Sequence, residues 1–413
     1  MKLLQNSFWN LAGLFIPSIL SIPCMGVLAR SLSVGEFGLF SLIFALIGYA
    51  SIFDLGLNRA IIRFVALNTG NHERVEKILG TSLIALILIG SFICLVFILN
   101  INLFIYLLNI TNINLSYAKS ALIYAGLSIP FFLVTQCFTG YLEGLQKFKL
   151  LNIQKTITSS LIVVLPVCGV LVENNIEYAI LGLFVARVLN FFISYLFYIF
   201  FDKVNLKKDW NILKEMFFFG GWVTISNIIS PVMVYFDKFL LSYFSNTSNV
   251  GLYSISTEVI NKISIIPSSI SRALFPLLSS TTSSSVIEYK KSVFIFFISI
   301  IIVVIPIFIF ADKLILIWVG EKYLGLPVDV LRILLIGLIF NSIAQAPFTL
   351  IQAIGLAKVT AIVHLVEIIP YLIILWFLIN NYGIIGAAIA WSVRMFFDFI
   401  VLNLIALNKI GEK

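Results

Sequence analysis

The chain has 413 residues, of which 61% are hydrophobic and only 11% charged, with a mean hydropathy of +1.09. A soluble domain carries about 25% charged residues, so there are too few charges here to coat a water-soluble surface, and an integral membrane protein is expected. The formal net charge of +8 comes with no basic–aromatic module of the kind that binds nucleic acid, and the basic residues sit between apolar runs, where they set topology.

A helix needs about 20 mostly apolar residues to cross the hydrocarbon core. Runs of that length fall at roughly 8–29, 37–57, 78–100, 117–141, 150–172, 178–201, 216–243, 250–277, 291–311, 328–354, 358–379 and 383–407. They are too long for barrel strands and lack period-two alternation, so twelve transmembrane helices are expected. The first run carries Trp9, Pro17 and Pro23 and has no small-x-small cleavage site, which reads as a retained helix rather than a signal peptide. Cys24, Cys94, Cys137 and Cys168 lie inside apolar runs with no metal-ligand spacing, and read as packing residues; no metal or cofactor is expected. The longest polar segment, Asp202 to Glu215, carries Lys203, Lys207 and Lys208 and reads as the link between an N-terminal lobe, 1–205, and a C-terminal lobe, 206–413.

Basic residues favour the cytoplasmic side of a membrane protein. Eighteen of the Lys and Arg residues, among them Lys2, Arg59, Arg63, Lys147, Lys207, Arg272, Lys358 and Lys413, fall on one side of the twelve runs. Five, Arg30, Lys119, Lys313, Lys322 and Arg332, fall on the other. This bias places both termini in the cytoplasm. Arg187, Lys238, Lys262 and Arg394 lie within runs.

An internal repeat organises the chain. Gly38-Leu39-Phe40-Ser41 followed by Arg59-Ala60 recurs 213 positions later, 38 to 251 and 59 to 272, as Gly251-Leu252-Tyr253-Ser254 followed by Arg272-Ala273. Trp9 and Trp222 share that offset. Gly144-Leu145 with Lys147 is echoed by Gly355-Leu356 with Lys358, and Tyr178, Ile180, Gly182 and Ala186 by Tyr382, Ile384, Gly386 and Ala390. Repeats of six spans enter the membrane from the same side, so the duplication is parallel, a plan found among transporters.

Arg30-Ser31-Leu32-Ser33 through Glu36-Phe37-Gly38-Leu39-Phe40, then Phe53-Asp54-Leu55-Gly56-Leu57-Asn58-Arg59-Ala60, resembles the start of bacterial polysaccharide-export flippases of the Wzx type. Asp237-Lys238-Phe239-Leu240-Leu241 and Arg272-Ala273-Leu274-Phe275-Pro276 carry the same resemblance in the second half. The family belongs with the multidrug and oligosaccharidyl-lipid exporters. The resemblance implies two six-helix lobes around a central cleft and transfer of undecaprenyl-diphosphate-linked O-antigen or capsule units between leaflets of the bacterial inner membrane. It implies the lipid-linked glycan and the bilayer as partners, with polysaccharide polymerase or assembly proteins beside them, and no enzymatic step.

Ionisable residues at bilayer depth are costly and mark candidate sites. An anionic diphosphate head group calls for Lys or Arg, which bind phosphate by charge-assisted hydrogen bonds. Lys262 is the first candidate, with Glu258 one turn away as its counter-charge, followed by Arg59 and Arg272 at the cytoplasmic mouth and by Arg30, Arg187 and Arg394. Asp54, Glu367 and Asp398 are candidates for ion coupling. His364 precedes Glu367 by about a turn and reads as a packed or cavity-lining residue. Glu258/Lys262 and Arg394/Asp398 can equally be i,i+4 pairs that serve packing alone. No phosphate-cradling Gly loop, nucleophile elbow or zinc motif is present, so neither ATP-driven transport nor catalysis is expected. The short outer loops argue against a membrane glycan polymerase, and the intramembrane cations against a carrier of cationic drugs.

Overall fold

A computed structural model describes residues 2–111, 113–202, 205–280 and 286–411. Lys203 and Lys413 lie outside them, as do the side chains of Lys2, Trp9, Trp222 and Pro276. The described chain is helical, with no strand. In order it forms α1 (Lys2–Ser31), α2 (Val34–Tyr49), α3 (Leu57–Leu67), α4 (His72–Leu99), α5 (Ile101–Leu107), α6 (Leu115–Gly144), α7 (Phe148–Val172) and α8 (Ile176–Asp202). There follow α9 (Trp210–Phe244), α10 (Thr247–Ile263), α11 (Ile265–Ser280), α12 (Val286–Ile309), α13 (Ala311–Val319), α14 (Leu326–Ala353) and α15 (Ala357–Gly411). Among the described residues, eight helical stretches are long and apolar enough to cross a membrane, and Ile16–Ser31 is a shorter apolar helix. One stretch, Lys358–Lys409, contains the two expected runs 358–379 and 383–407. The helical course of α15 breaks between them at Gly383, whose φ of +56° suits a residue without Cβ.

The expected single run 250–277 is two helices, α10 and α11, joined at Ser264. Ser264 caps α10 and its Oγ donates back to the Ile260 carbonyl at 2.8 Å. Pro267, which has no N–H to give, stands in the first turn of α11, where none is needed. The first copy breaks at the matching place by other means. A 3-10 turn, Ala50–Asp54, ends in Leu55 and Gly56, both left-handed, before α3 begins.

Element ends repeat the sequence offset. α2 starts at Val34 after the N-cap Ser33, and α10 starts at Thr247 after the N-cap Asn246; α3 ends at Leu67 and α11 at Ser280. Each of these pairs is 213 apart. Ser33 and Glu36 form a capping box in which the Ser33 N–H donates to Glu36 Oε2 at 3.0 Å and the Glu36 N–H to Ser33 Oγ at 3.3 Å. The other Glu36 oxygen accepts from the Ile176 N–H at 3.2 Å, at the start of α8.

The chain divides into two compact units, Met1–Tyr235 and Phe236–Lys413. In the first, α6 packs against α2, α3, α4, α7 and α8, and α1 lies along α7. Tyr124, Phe131 and Phe138 of α6, seven residues apart, alternate with Phe184, Phe191 and Tyr198 of α8, also seven apart; successive rings lie 5.4–6.3 Å apart. Tyr141 extends the stack to Tyr198 at 6.0 Å. Such pairs contribute about 0.5–1.5 kcal/mol each beyond burial. In the second unit α14 takes the corresponding place, packed by α10, α11, α12 and α15. Ser256 Oγ donates to the Pro327 carbonyl at 2.6 Å, Ser392 Oγ to the Ile333 carbonyl at 3.0 Å, and the Ser271 and Thr349 hydroxyls share a hydrogen bond of 2.6 Å. Polar glue of this kind suits helices that cannot gain by hiding apolar surface from lipid.

The polar segment after α8 is strapped to the start of α4. The Lys207 N–H donates to the Glu76 carbonyl at 3.3 Å, and Lys207 Nζ lies 2.8 Å from Glu76 Oε2. The Asp209 N–H donates to Thr81 Oγ1 at 2.8 Å. Arg74 and Glu215 pair at 3.0 Å. Gly80 makes the contact possible, because a Cβ there would strike the Lys207 backbone. The Glu76 carboxylate holds the Lys207 ammonium above its ordinary pKa.

Candidate functional site

The candidates in the first unit stand apart from one another. Arg30 ends α1 and is exposed. Asp54 is buried at the break before α3, where its Oδ1 accepts the Gly56 N–H at 2.7 Å. That bond fastens a left-handed turn, so the structure gives Asp54 a local partner that the sequence did not reveal. Arg59, five residues on, is exposed on α3. Arg187 on α8 lays its guanidinium over the Phe132 ring, 4.8 Å from the centroid, a cation–π contact. Its Nε is sealed from solvent and donates no hydrogen bond.

The second unit gathers more. Glu258 and Lys262 share a face of α10, with Nζ 3.8 Å from Oε2 and both side chains mostly covered. Lys262 stands in the last turn of α10, just before the break at Ser264. Arg272, exposed on α11, reaches Ser269 Oγ at 3.5 Å.

Deeper groups converge from α9, α10 and α15. Asp237 and Lys238 are 5% and 6% exposed. Asp237 Oδ1 accepts the Lys238 N–H at 2.7 Å, and Oδ2 accepts the Tyr253 hydroxyl at 2.7 Å. Tyr253 is itself fully buried. Arg394 lies over the Tyr371 ring, 5.1 Å from its centroid. Asp398, one turn beyond Arg394, faces the other arm of α15, where His364 Nε2 is 3.6 Å from Asp398 Oδ1. Glu367 completes a group in which ligand atoms of His364, Glu367 and Asp398 all lie within 4.8 Å of one another. The structure thus brings together Glu367 and Asp398, expected separately, and adds His364. Asp237 and Tyr253 were not foreseen as partners. The signal was present in the repeat, since Tyr253 stands where the first copy has Phe40.

The small residues matched by the duplication serve close approach. A Cβ on Gly182 would strike the Leu165 backbone of α7, and one on Gly386 the Leu378 backbone across the turn of α15.

The sequence profile of the family described as "Polysaccharide biosynthesis protein" matches residues 3–282. The chain belongs to that family. A protein of Shigella flexneri named "Putative O-antigen transporter" is 39% identical over 409 residues, covering 98% of this chain and 97% of its own. Among solved structures, an inward-facing multidrug resistance MATE family transporter of the MOP superfamily aligns with a TM-score of 0.82 at 14% identity, covering 97% of this chain and 98% of that one. The lipid II flippase MurJ, in an inward closed conformation, aligns with a TM-score of 0.80 at 16% identity, covering 99% and 92%. At such identity these likenesses speak for the fold alone. This member of the polysaccharide biosynthesis family is a multi-pass membrane protein with a MATE- and MurJ-like helical fold.

Proposed function

We propose that the protein is a flippase that carries undecaprenyl-diphosphate-linked oligosaccharide units from the inner to the outer leaflet of the bacterial cytoplasmic membrane, by alternating access, for O-antigen or capsule synthesis. The observation that carries the reading is identity of 39% along essentially the whole length of a relative named as an O-antigen transporter. A fold shared with a lipid II flippase supports it. The proposal includes twelve spans as two parallel six-helix repeats, 1–205 and 206–413, with both termini cytoplasmic, and no catalytic step.

In this reading Lys262 holds a phosphate oxygen of the cargo, and Glu258 neutralises it when cargo is absent. Arg59 and Arg272 attract the head group at the cytoplasmic mouth, and Arg30, Arg187 and Arg394 supply further positive charge along the way. The candidates for holding the coupling ion are Asp54 in the first unit and Glu367 or Asp398 in the second. Deleting the gene should abolish a surface polysaccharide while its lipid-linked unit accumulates on the inner leaflet. Surface glycan made at the normal level in the deletion strain would end the proposal.

A second reading, an ion-coupled multidrug antiporter, is favoured by the likeness to a MATE transporter. It calls for increased drug susceptibility in the same deletion strain with intact surface glycan.

A further inference from the structure

We propose that Lys238 binds a phosphate oxygen of the lipid-linked cargo, at a station nearer the turn between α9 and α10 than Lys262. The inference rests on the flippase reading given above. Lys238 is 6% exposed, and its backbone N–H alone is engaged, by Asp237 Oδ1 at 2.7 Å. Among the described residues, no oxygen lies within hydrogen-bond or ion-pair distance of its ammonium group. The group is nonetheless not sealed off, unlike the Nε of Arg394: the stem is covered and the charged end stays within reach of solvent. A lysine carries three N–H donors and no acceptor. Held without a partner inside a membrane-spanning helix, those donors are costly to keep unless an anion completes them, and phosphate oxygens do so by charge-assisted hydrogen bonds.

The adjacent carboxylate is kept from that role. Asp237 Oδ1 is taken by the Lys238 backbone and Oδ2 by the hydroxyl of Tyr253, which is fully buried on α10. Asp237 thus acts on Lys238 through space without forming an ion pair with it, and Tyr253 is the positioning residue that holds it so. Glu367 does not serve either, because the charges acting on it are those of Asp398, His364 and Arg394.

The repeat separates packing from binding at this point. At the offset of 213, Asp237, Lys238 and Tyr253 stand where the first copy has Cys24, Met25 and Phe40. Cys24 and Phe40 are buried and Met25 is partly so. The same scaffold therefore packs with three apolar residues, and the charge in the second copy answers another need.

Depth sets Lys238 apart from Lys262. Lys238 precedes the end of α9 at Phe244 by six residues, and Lys262 follows the start of α10 at Thr247 by fifteen. At a rise of 1.5 Å per residue these are about 9 and about 22 Å from the turn between the helices. The Asp237–Tyr253 bond joins the two helices near the level of Lys238. A head group released by Lys262 is taken up by Lys238 after a move of about 13 Å along the path.

Purified protein in detergent is titrated by calorimetry with farnesyl diphosphate, and with farnesol as the uncharged control. Lys238→Met puts back the residue type of the first copy. The expected result is saturable binding of the diphosphate by the wild type, affinity for it lowered at least tenfold in Lys238→Met, affinity for farnesol unchanged, and recovery to within threefold of wild type in Lys238→Arg. Lys238→Gln takes the place of the Met variant should that one elute as aggregate. Absence of saturable binding, diphosphate affinity unchanged in the neutral variant, an equal loss for farnesol, or no recovery by Arg overturns the proposal. The assay reads binding rather than export. Surface glycan lost in the deletion strain, with diphosphate binding indifferent to Lys238, defeats this inference and leaves the flippase reading standing.

Discussion

The Tyr253 hydroxyl donates a hydrogen bond of 2.7 Å to Asp237 Oδ2 in the buried part of the second unit. At the repeat offset of 213, Asp237 stands where the first copy has Cys24, and Tyr253 where it has Phe40. Both first-copy residues are buried. The same two repeat positions thus hold an apolar pair in one copy and a hydrogen-bonded pair in the other.

Tyr253→Phe removes one donor and leaves a buried carboxylate oxygen unsatisfied. The expected cost is about 1–3 kcal/mol, read as a lower thermal midpoint of the purified protein. If Asp237→Asn lowers the midpoint as much as Tyr253→Phe and the two changes together cost no more than either, the hydrogen bond accounts for the effect. Full additivity would show that the two residues act independently.

Lys262→Ala should reduce export while protein abundance stays normal, and Lys262→Arg should restore export in part. Normal export by the Ala variant would make the Lys262–Glu258 pair a packing feature only. Glu258→Gln tests the other half: it leaves a mostly covered ammonium without its counter-charge, and is expected to lower abundance more than Lys262→Ala does.

Gly80→Ala places a methyl group against the Lys207 backbone and should loosen the strap on α4. Trypsin added to inside-out membrane vesicles should then cut after Lys207 and Lys208 faster than in the wild type. Glu76→Gln should accelerate cutting less, because the ion pair with a half-exposed Lys207 is lost while Gln keeps an acceptor for the Asn205 N–H. That pair joins an ammonium whose pKa is raised by folding to a carboxylate whose pKa is lowered, so its contribution is complete at neutral pH, fades as pH climbs through the raised Lys207 value, and is lost on the acid side as pH falls through the lowered Glu76 value.

Gly182→Ala sets a methyl group against the Leu165 backbone of α7, and Gly386→Ala sets one against the Leu378 backbone in the other arm of α15. Both should lower the amount of folded protein in the membrane, by western blot, and both should fail even in cells where export is not required for growth. Unchanged abundance in either would show that its helix pair can separate at little cost.

The long apolar helices and the repeat offset were legible because each rests on local pattern: about twenty apolar residues announce a helix able to cross the membrane. The capping box of Ser33 and Glu36 was not foreseen. The breaks were less visible: 250–277 reads as one apolar run, and only the carbonyl-seeking hydroxyl of Ser264 and the imino nitrogen of Pro267 divide it. The deep polar groups were half visible. Helical spacing places Arg394 and Asp398 on one face, but it carries no information on what another helix brings opposite. Asp398 meets His364 and Glu367, more than 30 positions away, and Arg394 meets Tyr371. Asp54 shows the same limit at short range: its Oδ1 accepts a backbone amide two residues ahead, a contact that the residue's place beside an apolar run does not announce.

The strap has a practical consequence for dissection of the gene. A cut between Asp202 and Asn205 would start the second polypeptide with the residues that pair with Glu76 and Thr81 of the first. Two fragments expressed from separate promoters would therefore carry matching adhesive ends, and reassembly into a working protein should depend on Gly80 remaining a glycine.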